Sequence, residues 1–153
     1  MRFLLICVLF PLFSVSQQSD QQLGYQYFLG GEYNKAITIY QELEKKKFAI
    51  GYYAPYFFSL VQLEKYKEAE RIAKKASKLY PRSLNYQLEV GIAQEKGGYK
   101  DKSQRTYKKV FSIFSGKKSE TINLANTFIR YQMYSEALDI YMLSEKIDEE
   151  SDF

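Results

Sequence analysis

The side chains that usually carry enzyme chemistry are scarce in this chain. It has no histidine, so the usual proton shuttle at neutral pH and the commonest metal ligand are both missing. Its one cysteine, Cys7, lies in an N-terminal apolar run, and no glycine-rich phosphate loop is present. The aspartates and glutamates form no convergent pair. We therefore predict no catalytic residue, no metal ligand and no cofactor, and a small hydrolase is the least favoured alternative.

Small and aromatic residues, in contrast, recur at a fixed spacing. Residues 31–36 read Gly-Glu-Tyr-Asn-Lys-Ala, and related stretches occupy residues 64–69, 98–103 and 132–137. The small residues of the four copies lie 33, 34 and 34 positions apart: Ala36, Ala69, Ser103 and Ala137. Ala36, Tyr40 and Leu43 follow the i, i+4, i+7 spacing of one helix face. The chain is therefore predicted to be a repeat of helices with a period near 34.

This pattern resembles the tetratricopeptide repeat (TPR) family, whose repeats are pairs of helices, here called A and B. Pairs of a large and a small residue stand where helix A of that family has them: Leu23-Gly24, Val90-Gly91 and Leu124-Ala125. The resemblance implies an all-α fold, a right-handed α-solenoid of about four repeats, with a role in binding other proteins. Sel1-like repeats are the main alternative, although their period is usually longer and less regular.

The expected repeats span residues 20–48, 50–81, 84–116 and 118–147. We predict A helices at residues 20–29, 52–63, 84–96 and 120–131, each followed by a B helix that ends near residue 46, 79, 114 or 147. In the third copy Ser103 replaces alanine and Tyr99 is displaced by one residue, so we expect a turn one residue shorter there. Residues 148–153 form an acidic tail that we expect to be disordered.

Residues 1–16 have the layout of a secretory signal peptide. A positive start, Met1-Arg2, precedes an apolar run over residues 3–13, and Ser14 and Ser16 supply small residues before a cut at Gln17. The run is too short to cross a bilayer as a stable helix, so no transmembrane segment is predicted in the mature chain. The protein is expected to be exported, to the periplasm or the cell envelope. A buried N-terminal helix and a lipoprotein are the alternatives; Ile6 before Cys7 argues against the second.

The resemblance also implies a concave groove, lined by the A helices, that binds a partner protein or peptide. By repeat phase, its lining residues are Gln21, Tyr25, Phe28, Phe58, Gln62, Ile92, Glu95, Asn126 and Arg130. The first two repeats contribute mostly aromatic residues and the last two mostly polar ones, so a helix or an extended apolar segment suits the groove better than a charged tail. Alternatively, about half of the aromatics pack between neighbouring A helices. The carboxylate clamp of chaperone-binding TPR proteins is not matched.

Charge is unevenly distributed along the chain. Residues 96–118 hold eight lysines and arginines against one aspartate, whereas residues 134–153 hold seven carboxylates against one lysine. These are either solvated helix faces or surfaces that attract an opposite charge, including that of another copy. The net charge of +4 is mild, and we predict no nucleic-acid partner.

The last B helix carries two apolar stripes. We expect Ala137, Tyr141 and Ser144 to face their own A helix, which leaves Ile140, Leu143 and Ile147 as an exposed stripe. Such a stripe usually marks an interface, so we predict self-association through it. The alternative is that further repeats follow, and that these residues are the N-terminal interaction module of a longer multi-domain envelope protein.

We predict that the mature protein begins at or near Gln17, because small residues stand three and one positions before that bond. Intact-mass measurement of the exported protein is the check. A species that retains Met1 or Cys7 would show that the segment is not removed.

Overall fold

The computed structural model describes the backbone of residues 11–151 and the side chains of residues 20–147. Over this range the chain forms eight α-helices and one 3₁₀ turn, with no β-strand. The helices are α1 (Pro11–Leu29), α2 (Tyr33–Lys46), α3 (Tyr53–Gln62), α4 (Tyr66–Leu79), α5 (Leu84–Lys96), α6 (Lys100–Phe111), α7 (Lys118–Arg130) and α8 (Tyr134–Ser151); the 3₁₀ turn, Ile50–Tyr52, precedes α3.

Most helix ends agree with the predicted ones within about three residues, and the two outer helices are longer than expected. Helix α1 is described from Pro11 onward, well before the predicted start near Asp20. Helix α8 is described as far as Ser151, four residues past the predicted end at Ile147. The predicted signal peptide lies outside the described residues except for the backbone of residues 11–16. The predicted acidic tail, residues 148–153, also lies outside the described residues except for the backbone of residues 148–151.

The chain divides into two compact units, residues 1–63 and 64–153. In the first unit, α1 packs on α2 and α2 packs on α3. In the second unit, α4 packs on α5, α5 packs on both α6 and α7, and α7 packs on α8. Each A helix thus packs on the B helix that follows it, or on the B helix before it, within its unit.

A tyrosine of helix B lies against a glycine of helix A in each unit. A Cβ atom placed at Gly24 in α1 would come within 2.8 Å of the Tyr40 ring, and one at Gly91 in α5 would overlap the Tyr107 ring. Tyr40 is fully buried and Tyr107 is nearly so. Glycine is required at these two positions because a ring occupies the space in which a side chain would begin.

The four small residues of the repeat are all buried on helix B, as their spacing suggested: Ala36, Ala69, Ser103 and Ala137. Serine is accommodated in the third copy because its hydroxyl donates to the Lys100 carbonyl oxygen, at 2.8 Å, within the same helix. A buried hydroxyl that bonds to its own helix carries little of the desolvation cost of an unpaired one.

The turns from helix A to helix B all have three residues, so the shorter third turn was a wrong prediction. In the first turn the amide of Glu32 donates to the Tyr27 carbonyl oxygen at 2.9 Å, and Tyr99 and Met133 make the same bond to Gln94 and Phe128. This six-residue closure needs a left-handed residue just before the donor. Those residues are Gly31 (φ 73°), Gly98 (φ 82°) and Gln132 (φ 60°), and Glu64 (φ 57°) holds the same place in the second turn.

Replacing Glu64 or Gln132 with glycine is expected to stabilise the fold by about 0.5–1 kcal/mol each. A left-handed residue with a Cβ costs about 1–2 kcal/mol, and part of the gain is lost to the greater freedom of glycine when unfolded. Urea unfolding of Glu64→Gly and Gln132→Gly measures the change. The matched control, Lys67→Gly on an exposed helical turn, should lose stability.

Gly91→Ala is expected to destabilise the second unit by about 1–2 kcal/mol. The new methyl must displace the buried Tyr107 ring, which costs more than the better helix propensity of alanine returns. Gly30→Ala is the control, because a Cβ there meets nothing closer than 3.5 Å. Equal unfolding midpoints for the two variants would mean that the Tyr107 ring moves aside freely.

Candidate functional site

Four aromatic rings gather on the first unit: Tyr25, Phe28, Tyr33 and Phe58, here called the aromatic cluster. Phe28 lies 5.7 Å from Tyr25 in a stacked arrangement and 5.7 Å from Phe58 edge to face. Tyr33 closes the group, at 6.3 Å from Phe28 and 6.0 Å from Phe58. Tyr25 is 49% exposed and the other three rings are half-buried. These rings therefore contact one another while keeping part of their surface open to solvent.

Three helices position the aromatic cluster. Tyr25 and Phe28 are three residues apart on α1 and so share a face, while Phe58 comes from α3. Tyr33 is the first residue of α2, placed beside Phe28 by the tight turn through Gly31. The structure thus brings together three of the predicted groove residues and adds Tyr33. Its place in the repeated Gly-x-Tyr motif, directly after helix A, was the signal that could have identified it.

The other predicted groove residues of the first unit are polar. Gln21 is half-buried, with its amide nitrogen 3.0 Å from the point where a Cβ of Gly51 would lie. Gln62, the last residue of α3, is exposed. At the turn between α1 and α2, Glu32 and Lys35 form an ion pair, and the Lys35 ammonium lies 5.1 Å from the centre of the Tyr27 ring. The rings of the aromatic cluster make contacts with one another.

One predicted groove residue of the second unit was wrong. Ile92 is completely buried, because α5 packs against α4, α6 and α7 and the residue after Gly91 falls inside that packing. Glu95 is half-buried, whereas Asn126 and Arg130 are exposed on α7. The second unit therefore offers polar side chains at the predicted positions, without an aromatic group comparable to that of the first unit.

A buried polar contact links α5 to the end of α7. The Glu89 carboxylate is 3% exposed, and the Tyr131 hydroxyl donates to its Oε1 at 3.2 Å. Burial, together with the nearby charge of Glu89, raises the pKa of Tyr131 well above its usual value, so the phenol remains a donor at physiological pH. Because the carboxylate is enclosed and has a partner, it holds two helices together rather than facing a ligand.

Basic side chains surround an apolar groove on the second unit. Its lining includes Lys74 and Lys78 of α4, Arg105 and Lys109 of α6, and the apolar Val110. Glu70 accepts from Lys74 at 2.6 Å and from the Gln94 amide at 2.9 Å. Burial acts to raise the pKa of Glu70, but these two hydrogen bonds outweigh it and the pKa is lowered overall. The groove is open and positively charged, which suits an acidic segment.

The predicted exposed stripe on α8 was wrong. Ile140 is completely buried and Leu143 and Ile147 are half-buried. The loop before α7 covers this side, since the Ile147 side chain lies 2.9 Å from the point where a Cβ of Gly116 would be. Tyr141, expected to face α7, is 39% exposed. Ala125, which is fully buried, stands on α7 where Gly24 and Gly91 stand in earlier repeats.

In the described part of the chain, no three histidine, cysteine, aspartate or glutamate side chains come together in a way that could hold a metal ion. No described helix combines the length and the apolar character needed to span a membrane.

Solved structures of MamA resemble this chain in fold. MamA from Desulfovibrio magneticus RS-1, from residue 41 to its end, matches with a TM-score of 0.61 and 14% identity, over 90% of this chain and 78% of that one. An ArsTM double mutant of MamA RS-1 matches with a TM-score of 0.61 and 14% identity, over 89% and 77%. MamA AMB-1 matches with a TM-score of 0.57 and 18% identity, over 87% and 79%.

These likenesses confirm the predicted fold class, an all-α chain of TPR-like helix pairs. No protein-family model matches the chain, and no curated protein matches it in sequence. At identities this low the likeness concerns the fold, and membership of the TPR family remains a resemblance.

Proposed function

We propose that this protein is a non-enzymatic scaffold, exported to the bacterial envelope, that binds a partner helix or extended peptide through its A helices. The observation that carries the proposal is the aromatic cluster of Tyr25, Phe28, Tyr33 and Phe58. A TPR-like fold, in which A helices present side chains to a partner, supports the same class of function.

The chemistry of the aromatic cluster favours an apolar ligand. Aromatic side chains provide a large contact area at a low entropy cost and often dominate binding energies. The exposed half of Tyr25 leaves a ring face and a hydroxyl group available beside the half-buried Phe28 and Phe58. A partner with leucine, methionine or phenylalanine one helical turn apart would cover two of these rings at once. Gln21 and Gln62 could donate to its backbone carbonyls.

The signal-like layout of residues 1–16 supports export.

The alternative proposal concerns the extent of the natural chain. The helical repeats would then serve as the N-terminal interaction module of a longer multi-domain envelope protein. Both proposals use the same binding surface. An open reading frame that continues past Phe153 would favour the second.

Photocrosslinking from Tyr25 tests whether the aromatic cluster is the contact site. We expect p-benzoylphenylalanine at position 25, in the exported protein, to give one discrete crosslinked band in the envelope fraction. The control places the same residue at Tyr99, which is 39% exposed where Tyr25 is 49% exposed. It should not give that band. A band of equal strength from both positions would indicate collisional labelling and would contradict the assignment.

The double variant Tyr25→Ala, Phe58→Ala is expected to weaken binding of the crosslinked partner at least tenfold, or about 1.4 kcal/mol. Leu79→Ala and Tyr80→Ala, which truncate exposed apolar side chains of the second unit, are the matched controls. Binding is measured by titration, and circular dichroism is recorded for each variant. Unchanged affinity would exclude the aromatic cluster as the site; lost helicity would mean that the rings belong to the core.

A further inference from the structure

The tyrosine of helix B is covered by the next A helix wherever the structure describes one. Tyr40 of α2 lies 5.8 Å from Tyr52 and 5.7 Å from Tyr56, at the start of the next helix pair. Tyr107 of α6 lies 5.4 Å from Phe128 of α7. Both tyrosines are buried as a result. Each such ring is thus held between the glycine of its own A helix and an aromatic ring of the next one.

Tyr141 has the same repeat phase, 34 residues after Tyr107, but no described helix covers it. It is 39% exposed, and its neighbours Leu138 and Met142 on α8 are 59% and 49% exposed. These three residues are here called the tail face. The tail face is the surface on which the structure of the preceding repeats would place another A helix.

The first A helix has the matching open surface. Leu23 has the repeat phase of Tyr56, Val90 and Leu124, which are all buried, yet Leu23 is 39% exposed. Tyr27 has the phase of Phe128, which is fully buried, and is only half-buried itself. Leu23 and Tyr27 are here called the head face. In the later repeats the preceding B helix packs on the A helix, as α2 does on α3 and α4 on α5, and Tyr107 of α6 contacts Phe128 of α7. No described helix precedes α1 in this way.

We propose that the head face of one copy of this protein docks on the tail face of a second copy. The contact would repeat those inside the chain: Tyr141 would meet Leu23 of the next copy as Tyr40 meets Tyr56, and Tyr27 of the next copy as Tyr107 meets Phe128. A second copy is the occupant because both halves of the contact are already present in one chain, with the spacing that its own repeats use.

A contact between two different faces has a definite consequence for assembly. Each copy that docks by its head leaves its own tail face open, so association continues as an open chain unless it closes into a ring. A contact of α8 with another α8 would instead stop at a dimer. The two arrangements can therefore be separated by blocking one face at a time.

The experiment uses two variants of the purified protein, Leu23→Glu to block the head face and Tyr141→Glu to block the tail face. Both positions are more than one-third exposed, so the fold should tolerate the charge. Light scattering on a size-exclusion column at tens of micromolar should show wild-type species larger than a monomer, and each variant alone as a monomer. An equimolar mixture of the two should form a dimer and nothing larger. The intact tail face of Leu23→Glu binds the intact head face of Tyr141→Glu, and both remaining faces are blocked.

Ile113→Glu is the control variant, since Ile113 is 56% exposed and belongs to neither face; it should associate like the wild type. The mixture also tests folding, because only correctly folded faces can restore the dimer. A monomeric wild type, association of either variant by itself, or a mixture that stays monomeric would each overturn the proposal.

Discussion

The packing of a helix B tyrosine on a helix A glycine is the contact on which the rest of the structure depends. Tyr40 lies on Gly24 and Tyr107 on Gly91, where a Cβ atom would meet the ring. Tyr40 is fully buried, and its hydroxyl group has no hydrogen-bond partner among the described residues. An unpaired buried hydroxyl costs about 1–3 kcal/mol, which the buried ring area and its stacking must offset. Burial raises the pKa of both phenols, so neither ionises at physiological pH.

The same tyrosines connect one helix pair to the next. Because the ring is held by glycine on one side, its other side is presented to the following A helix, where Tyr52 and Tyr56, or Phe128, cover it. A repeated contact of this kind needs a neighbour on both sides. Among the described residues, the head face of α1 and the tail face of α8 have no such neighbour. The aromatic cluster differs, because its rings contact one another and remain half open.

Repeat phase predicted the secondary structure well because the signal is local. The small residues at positions 36, 69, 103 and 137, and the turns five residues before them, locate all four B helices. Phase alone did not predict which side chains are exposed, and it was wrong for Ile92, Ile140 and Tyr141. Ile92 is buried by three other helices at once, and Ile140 lies on the side of α8 that the loop around Gly116 helps to cover.

The sequence by itself determined the all-α fold class, the helix pairs and the positions of the turns, though not the length of the third turn, because helix periodicity and backbone preferences act over a few residues. It also indicated Tyr25, Phe28 and Phe58 as one surface. Only the tertiary structure decided that Tyr33 joins them and that Glu89 is enclosed with Tyr131. It also decided that Tyr141 faces outward. Each of these depends on how closely two helices approach, and that distance is set by side chains of both helices together, so it appears only once both helices are in place.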